Sequence, residues 1–242
     1  MNRNIFSFFF VISVLFLFQS CAPVYIPNMV NAPLLSNKGE VQASVNTGIS
    51  GFDPQLAFAV TDKIGLMLNA SWNKWNNKDP DGHQHGRRFI EGGIGYYHPF
   101  EKFGRFEAFT GFGTGEIKGY FENNIFSGYG TSQYCRFFVQ PDIGLCSDFI
   151  DLSLSTRLSF VNIVLTSDNY KQYSRNTFDP FFEPVITLKI GYKYLKFISQ
   201  PGFSFPLKIV TYNYHEVYYN YQHFIFSVGV QLNLGKEQKE KC

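Results

Sequence analysis

The sequence predicts an all-β fold: an antiparallel up-and-down transmembrane β-barrel of about ten strands, behind an N-terminal leader and tether. Three observations carry this. Apolar and polar residues alternate with period two along most of the chain, while helical periodicity is missing. The alternating runs are about ten residues long, enough for a tilted strand to cross a bilayer and longer than the five to six usual in soluble sheets. The connections alternate short and long, the plan of a barrel with tight turns at one end and loops at the other. Composition agrees and removes other classes. Of 242 residues, 45% are hydrophobic, 19% aromatic and 17% charged, which is incompatible with disorder. The net charge of +2, from 21 basic and 19 acidic residues, offers no basic field for a nucleic acid. Four cysteines make no disulfide framework.

Residues 1–20 read as a signal peptide. Arg3 precedes an uncharged run from Ile5 to Phe18, about 21 Å as a helix and too short for a hydrocarbon core of roughly 30 Å. Residues 21–38 carry Pro23, Pro27 and Pro33, few charges and no periodicity, and read as a tether. Residues 39–235 read as the barrel domain, and 236–242 as a charged C-terminal tail.

Within the barrel, one face of the first strand carries Val41, Ala43 and Val45. The second carries Leu56, Phe58 and Val60, and the third Ile64, Leu66, Leu68, Ala70 and Trp72. The fourth shows Ile90, Ile94 and Tyr96, the fifth Phe106, Ala108 and Phe112, and the sixth Phe137, Val139, Ile143 and Leu145. The seventh sets Ile150, Leu152, Leu154, Leu158 and Phe160 against Asp151, Ser153, Ser155, Arg157 and Ser159, with Thr156 the exception. Ile186, Leu188, Ile190 and Tyr192 mark the eighth strand, and Phe197, Phe203 and Phe205 the ninth. Phe224 to Leu234 is the tenth, with every even position large and apolar. Short turns fall near Thr61-Asp62-Lys63, Pro99 to Gly104, Ser147-Asp148 and Lys193-Tyr194. Long polar loops fall near 73–87, 117–132, 163–180 and 207–221, and only the link near Ser50 to Asp53 is short where a long one is due. An even strand number lets the first and last strands pair and remove both edges. It also puts the tether and the tail at the same end, opposite the loops.

Parity alone leaves two barrels open: a membrane barrel with its apolar face outward, and a soluble lipocalin-like barrel with that face inward. The polar face is built of Gly, Ser, Asn and Gln, which suits a crowded wet lumen. Trp72, Tyr96, Phe106, Phe160, Phe182, Tyr192, Phe203 and Phe205 gather at strand ends, like the aromatic girdles of membrane interfaces. The inward face then holds Glu91, Glu107, Asp142, Asp151 and Glu183 against Arg136, Arg157, Lys189 and Lys196. Nearly balanced charge in a narrow barrel predicts a salt-bridged network that fills the lumen with side chains. An ion path or a small-ligand site is the alternative.

The stretch Leu17-Phe18-Gln19-Ser20-Cys21 resembles a bacterial lipobox, with Phe18 and Gln19 where Leu and a small residue are usual. The resemblance implies cleavage after Ser20 and acyl chains, palmitate among them, on Cys21. Ala22 and Pro23, in place of an inner-membrane retention aspartate, imply outer-membrane sorting. These residues are joined by Phe52 to Trp72 with Ala59-Val60-Thr61-Asp62, by Gly92-Gly93-Ile94-Gly95-Tyr96-Tyr97, by Arg136-Phe137-Phe138-Val139-Gln140-Pro141 and by Gly191-Tyr192-Lys193-Tyr194. Together they resemble the small outer-membrane β-barrel lipoproteins of Bacteroidota. The resemblance implies a lipid-anchored location in the outer membrane and almost no chemistry. The role expected there is structural or interactive, with membrane lipid as partner and lipopolysaccharide or an envelope protein as a candidate second.

Catalytic motifs are missing from the sequence. There is no G-x-S-x-G elbow and no P-loop. His215-Glu216 begins like a zincin motif, but Tyr219 stands where the second histidine belongs. None of the five histidines has Ser two residues on, as barrel lipid hydrolases require, so the reading is not an enzyme and has no cofactor. A lipid-modifying barrel enzyme stays a further alternative. Asp79, Asp81, His83 and His85 could hold Zn²⁺ or Cu²⁺, or be a solvated loop tip. Arg87 and Arg88 beyond them are placed to face lipopolysaccharide phosphates. Cys135 and Cys146 fall on one expected strand, roughly 36 Å apart, too far for a disulfide.

Overall fold

A computed structural model describes residues 23–75, 85–122, 127–167, 174–207 and 221–235. The regular elements there are all strands: β1 (Val41–Gly48), β2 (Gly51–Ala59), β3 (Ile64–Trp75), β4 (His85–Phe100), β5 (Gly104–Glu122), β6 (Ser127–Cys146), β7 (Ile150–Ser167), β8 (Ser174–Tyr192), β9 (Leu195–Phe203), β10 (Phe205–Pro206) and β11 (Phe224–Leu234). The short β10 continues β9 past Ser204 along the same neighbour, β8. Every pairing is antiparallel, and β1 pairs with β11 from Val41↔Leu234 to Gly48↔Ser227. The sheet thus closes into a ten-stranded barrel. The β1–β2 link is two residues long, and beside it Gly51 has φ +108° and a Cβ would lie 2.5 Å from the carbonyl of Trp72; only glycine fits there.

The strands are unequal. β4 to β8 are 16 to 20 residues long, whereas β1, β2, β3, β9 and β11 have 8 to 12. The loops expected over 117–132 and 163–180 are therefore mostly strand: Tyr120 pairs with Tyr129, and Thr166 with Ser174. One side of the barrel stands tall at the loop end.

The two faces of the wall divide cleanly over the lower part. Outward positions are apolar and exposed, including Leu56, Leu68, Ile94, Phe112, Ile143, Leu145, Leu154, Ile186 and Val230. On β7 this band runs from Ile150 to Phe160, roughly 34 Å along the strand and about 26 Å in height at a 40° tilt. Inward positions there are polar and buried, such as Gln42, Gln55, Asn69, Ser153, Ser155, Thr187 and Gln231. Above the band the phase reverses. Arg88, Glu116, Gln133, Asn162 and Asn176 point outward, while Phe89, Ile117, Tyr134, Val161, Ile163 and Leu165 point inward and are buried. On β7 the switch is the adjacent pair Phe160 and Val161, where two apolar residues in succession move the apolar face from outside to inside.

Residues 23–36 overturn the expectation of a tether. They run through the lumen and are almost wholly buried, with Tyr25, Asn28, Leu34 and Leu35 at 0% exposure. At the loop end Tyr25 forms an isolated parallel bridge with Tyr221. At the turn end the amides of Leu34 and Leu35 reach Glu107, three residues past the start of β5. A turn over 36–40 then leads into β1. Proline at 23, 27 and 33 keeps this segment extended and removes donors that the lumen would otherwise have to satisfy. From Val24 to Leu35 an extended chain reaches about 36 Å, enough to run from Ser132 at the loop end to Glu107 at the turn end. The folded unit begins at least by Pro23 rather than at 39. The two ends of the described body also lie at opposite mouths, Pro23 at the loop end and Gly235 at the turn end, where β11 ends beside Val41.

Candidate functional site

The lumen holds the segment in three tiers. At the loop end Val24, Tyr25 and Ile26 pack into an apolar cluster with Phe89, Ile117, Tyr134, Val161, Ile163, Leu165 and Phe181. The Tyr25 ring lies 4.7 Å from Phe181 and meets Tyr134 edge-on at 5.5 Å, favourable aromatic geometries. Ser132 Oγ donates to the carbonyl of Val24 at 2.8 Å. Arg87 donates to the carbonyls of Ile26 at 2.6 Å and Ser50 at 3.0 Å.

The middle tier is built on two arginines. β7 and β8 set Arg157 directly opposite Glu183, with Nε 2.6 Å from the carboxylate. Arg136 of β6 pairs with Glu91 of β4 and lies 4.6 Å over the Phe89 ring. Both guanidinium groups then reach one residue of the segment. Asn28 Oδ1 accepts from Arg136 at 2.6 Å and from Arg157 at 3.2 Å, and its carbonyl accepts from Arg157 at 3.0 Å. The Tyr25 hydroxyl accepts from Arg136 at 2.8 Å and donates to Glu183 at 3.1 Å. Ser159 and Ser204 donate to Glu183, and Asn69 to Glu91. Charges this buried persist only when paired and fully hydrogen-bonded, and the planar guanidinium fork suits several acceptors at once.

The lowest tier grips backbone. Val30 donates its N–H to Gln200 Oε1 at 2.8 Å and accepts from Gln200 Nε2 at 2.9 Å. Gln55 donates to the carbonyl of Met29 at 3.0 Å, Gln140 to that of Asn31 at 2.8 Å and Lys189 to that of Ala32 at 2.7 Å. The amides of Leu34 and Leu35 donate to the Glu107 carboxylate at 2.9 and 2.7 Å. Side chains here supply what a strand neighbour supplies elsewhere, since buried backbone groups need partners.

All eight residues expected to form a lumen charge network face inward and are buried, spread over the height of the lumen. Glu91, Arg136, Arg157 and Glu183 make the middle tier. Glu107 and Lys189 hold the segment's backbone. Asp142 accepts from Gln140 at 2.9 Å. Asp151 pairs with Lys196 at 2.7 Å, and Lys196 also bonds the turn carbonyl of Ser147. Counted over every buried charged group among the described residues, there are eight acids to five bases. Segment amides take up part of that surplus at Glu107 and, through Ser36, at Glu40. The lumen is thus filled by a stretch of the chain itself, not by wall side chains alone. Asn28, Tyr25, Gln55, Gln140 and Gln200 went unanticipated. The available signal was the apolarity of 22–38, whose one charge is Lys38, too little for a solvated linker.

Arg87, expected at the surface beside Arg88, is buried in the lumen. Arg88 faces outward, in a recess of about 1010 Å³ whose lining includes Trp72, Ile90, Glu116 and Lys118. Cys135 faces outward and Cys146 inward on β6. Cys21, Asp79 to Gln84, His215-Glu216 and Cys242 lie outside the described residues. No family model matches the chain, and no curated protein matches it. The functional reading therefore rests on the closed barrel and its occupied lumen.

Proposed function

We propose that the protein is an outer-membrane β-barrel lipoprotein of the small Bacteroidota kind its sequence resembles, with a structural or interaction role in the envelope and a lumen sealed by its own N-terminal segment. The reversal of the wall carries this reading. An apolar coat about 26 Å tall over a polar interior suits hydrocarbon, and the polar coat over an apolar interior above it suits water. A soluble lipocalin-like binder needs the second arrangement over its whole height. The three tiers weigh against a narrow channel, because every layer of the lumen is occupied. Nothing in this reading calls for catalysis or a cofactor. Membrane lipid is the first partner, and Arg88 with Lys118 offers a second contact, to phosphates of lipopolysaccharide.

The test is purification with and without detergent, followed by planar-bilayer recording. The reading expects a heat-modifiable band in the outer-membrane fraction, insolubility without detergent and a silent bilayer. A protein that stays folded and monodisperse in plain buffer overturns it, and steady conductance replaces the sealed barrel with a channel.

A further inference from the structure

We infer that the lumen is a peptide-binding site for an extended chain of the pattern Tyr-x-x-Asn-x-x-Asn, and that residues 23–36 are its resident ligand. The seal is then exchangeable, a step beyond the sealed-barrel reading, and the site is the same whichever medium meets the outer wall. Along most of the segment the wall holds backbone. Gln200 takes both the N–H and the carbonyl of Val30, at 2.8 and 2.9 Å. Gln55, Gln140 and Lys189 donate to the carbonyls of Met29, Asn31 and Ala32. Glu107 accepts the two successive amides of Leu34 and Leu35. Leu34 is left-handed, with φ +58°, and successive N–H groups turned to one side in this way form an anion nest. Acceptors and donors thus alternate down the lumen as a peptide backbone presents its own. An ion or a compact solute would meet one height of that ladder and leave the other buried groups unpaired. All of these wall groups lie within strands, so the barrel itself carries the site.

Side chains are recognised at three positions spaced by three. The Tyr25 hydroxyl sits between Arg136 and Glu183, and Asn28 Oδ1 between Arg136 and Arg157. Asn31 Nδ2 donates to Asn69 Oδ1 at 2.8 Å and to the carbonyl of Leu56 at 3.3 Å. An apolar residue at 28 would leave guanidinium donors unpaired. Pro27 and Pro33 bring no N–H that the lumen would have to satisfy. The wall closes on itself through β1 and β11, and among the described residues the segment's one bridge to another stretch of chain is Tyr25 with Tyr221. Covalent connection through the turn over 36–40 holds the ligand at an effective concentration on the order of millimolar. A segment of another protein with the same pattern can take the seat once the resident one is released.

The experiment uses the full chain folded in detergent micelles, with a protease site inserted between Lys38 and Gly39, both exposed in the turn. After cleavage the N-terminal fragment should stay bound to a barrel that keeps its heat-modifiable mobility, and should exchange for a fluorescent synthetic peptide of residues 23–38. In competition, a Met29→Leu peptide should bind within about threefold of the parent. An ester replacing the Val30 N–H, or Asn28→Ala, should weaken binding about tenfold or more, as loss of a buried hydrogen bond does. A fragment that never exchanges while the barrel stays folded, or a barrel that unfolds when the fragment leaves, overturns the inference and leaves the sealed barrel standing. So does a folded, emptied barrel that takes up no peptide, or a Met29→Leu peptide as weak as the ester. Should the insertion block folding, the uncut chain with its resident segment weakened by Tyr25→Phe and Asn28→Ala is incubated with millimolar labelled peptide. Uptake supports the inference, and no uptake contradicts it.

Discussion

The lower barrel and the tall upper wall formed by β4 to β8 are built from the same strands with their faces exchanged. On β7, Leu154 and Leu158 lie outside with Ser155 and Arg157 inside. A few residues on, Ile163 and Leu165 lie inside with Asn162 outside. The hydrogen-bond ladder runs through both parts without interruption, so backbone geometry does not distinguish them. What differs is the medium each face meets. The upper wall obeys the rule of soluble proteins, burying apolar area against Tyr25 and its neighbours. The lower wall buries amides, hydroxyls and ion pairs instead, and that arrangement is stable only where the outer face is apolar for a reason of its own.

The comparison can be broken most severely at the middle tier. Arg157→Met leaves Glu183 buried without the guanidinium that faces it. Removing one partner of a buried pair costs about 3–5 kcal/mol, so the urea midpoint for loss of the heat-modifiable form should fall sharply. Next comes a matched pair of outward substitutions. Leu154→Arg in the band should cost about 2–4 kcal/mol in a bilayer, while Asn162→Arg in the upper wall should stay within about 0.5 kcal/mol, as exposed substitutions do. Equal costs at the two positions would erase the distinction between belt and cap. Gly229→Ala probes the crowding of the lower lumen. A Cβ there would press on the Asn46 side chain and the Val45 carbonyl, and overpacking of this kind costs about 1–3 kcal/mol. The smallest effect is expected for Ile163→Val in the apolar cap, about 0.5–1.5 kcal/mol.

The wall was legible because period-two alternation survives in a single sequence. All ten strands fall where the alternation put them, and the residues assigned to the apolar face, from Val45 through Phe112 to Leu234, do point outward. The tall extensions were hidden by the phase reversal. Phe160-Val161 breaks the running alternation, and Glu116, Gln133 and Asn162 beyond it look like loop residues when read against the lower phase. The segment was hidden for a different reason. It has no periodicity because it has no sheet neighbour, and its prolines imitate a linker. Its partners Gln55, Gln140 and Gln200 are ordinary lumen polar residues in sequence, and Asn28 acquires its role only from the two arginines that converge on it.

Amide hydrogen exchange over residues 28–35, in protein held in detergent micelles, tests the sealed lumen most directly. Val30, Leu34 and Leu35 donate their N–H groups to buried side chains, and local opening there requires breaking the tiers around them. The account predicts protection of these amides comparable to that of the central β6 and β7 ladder. Exchange at the rate of an unstructured chain, with the ladder still protected, would mean the segment is a free tether after all and would contradict the account.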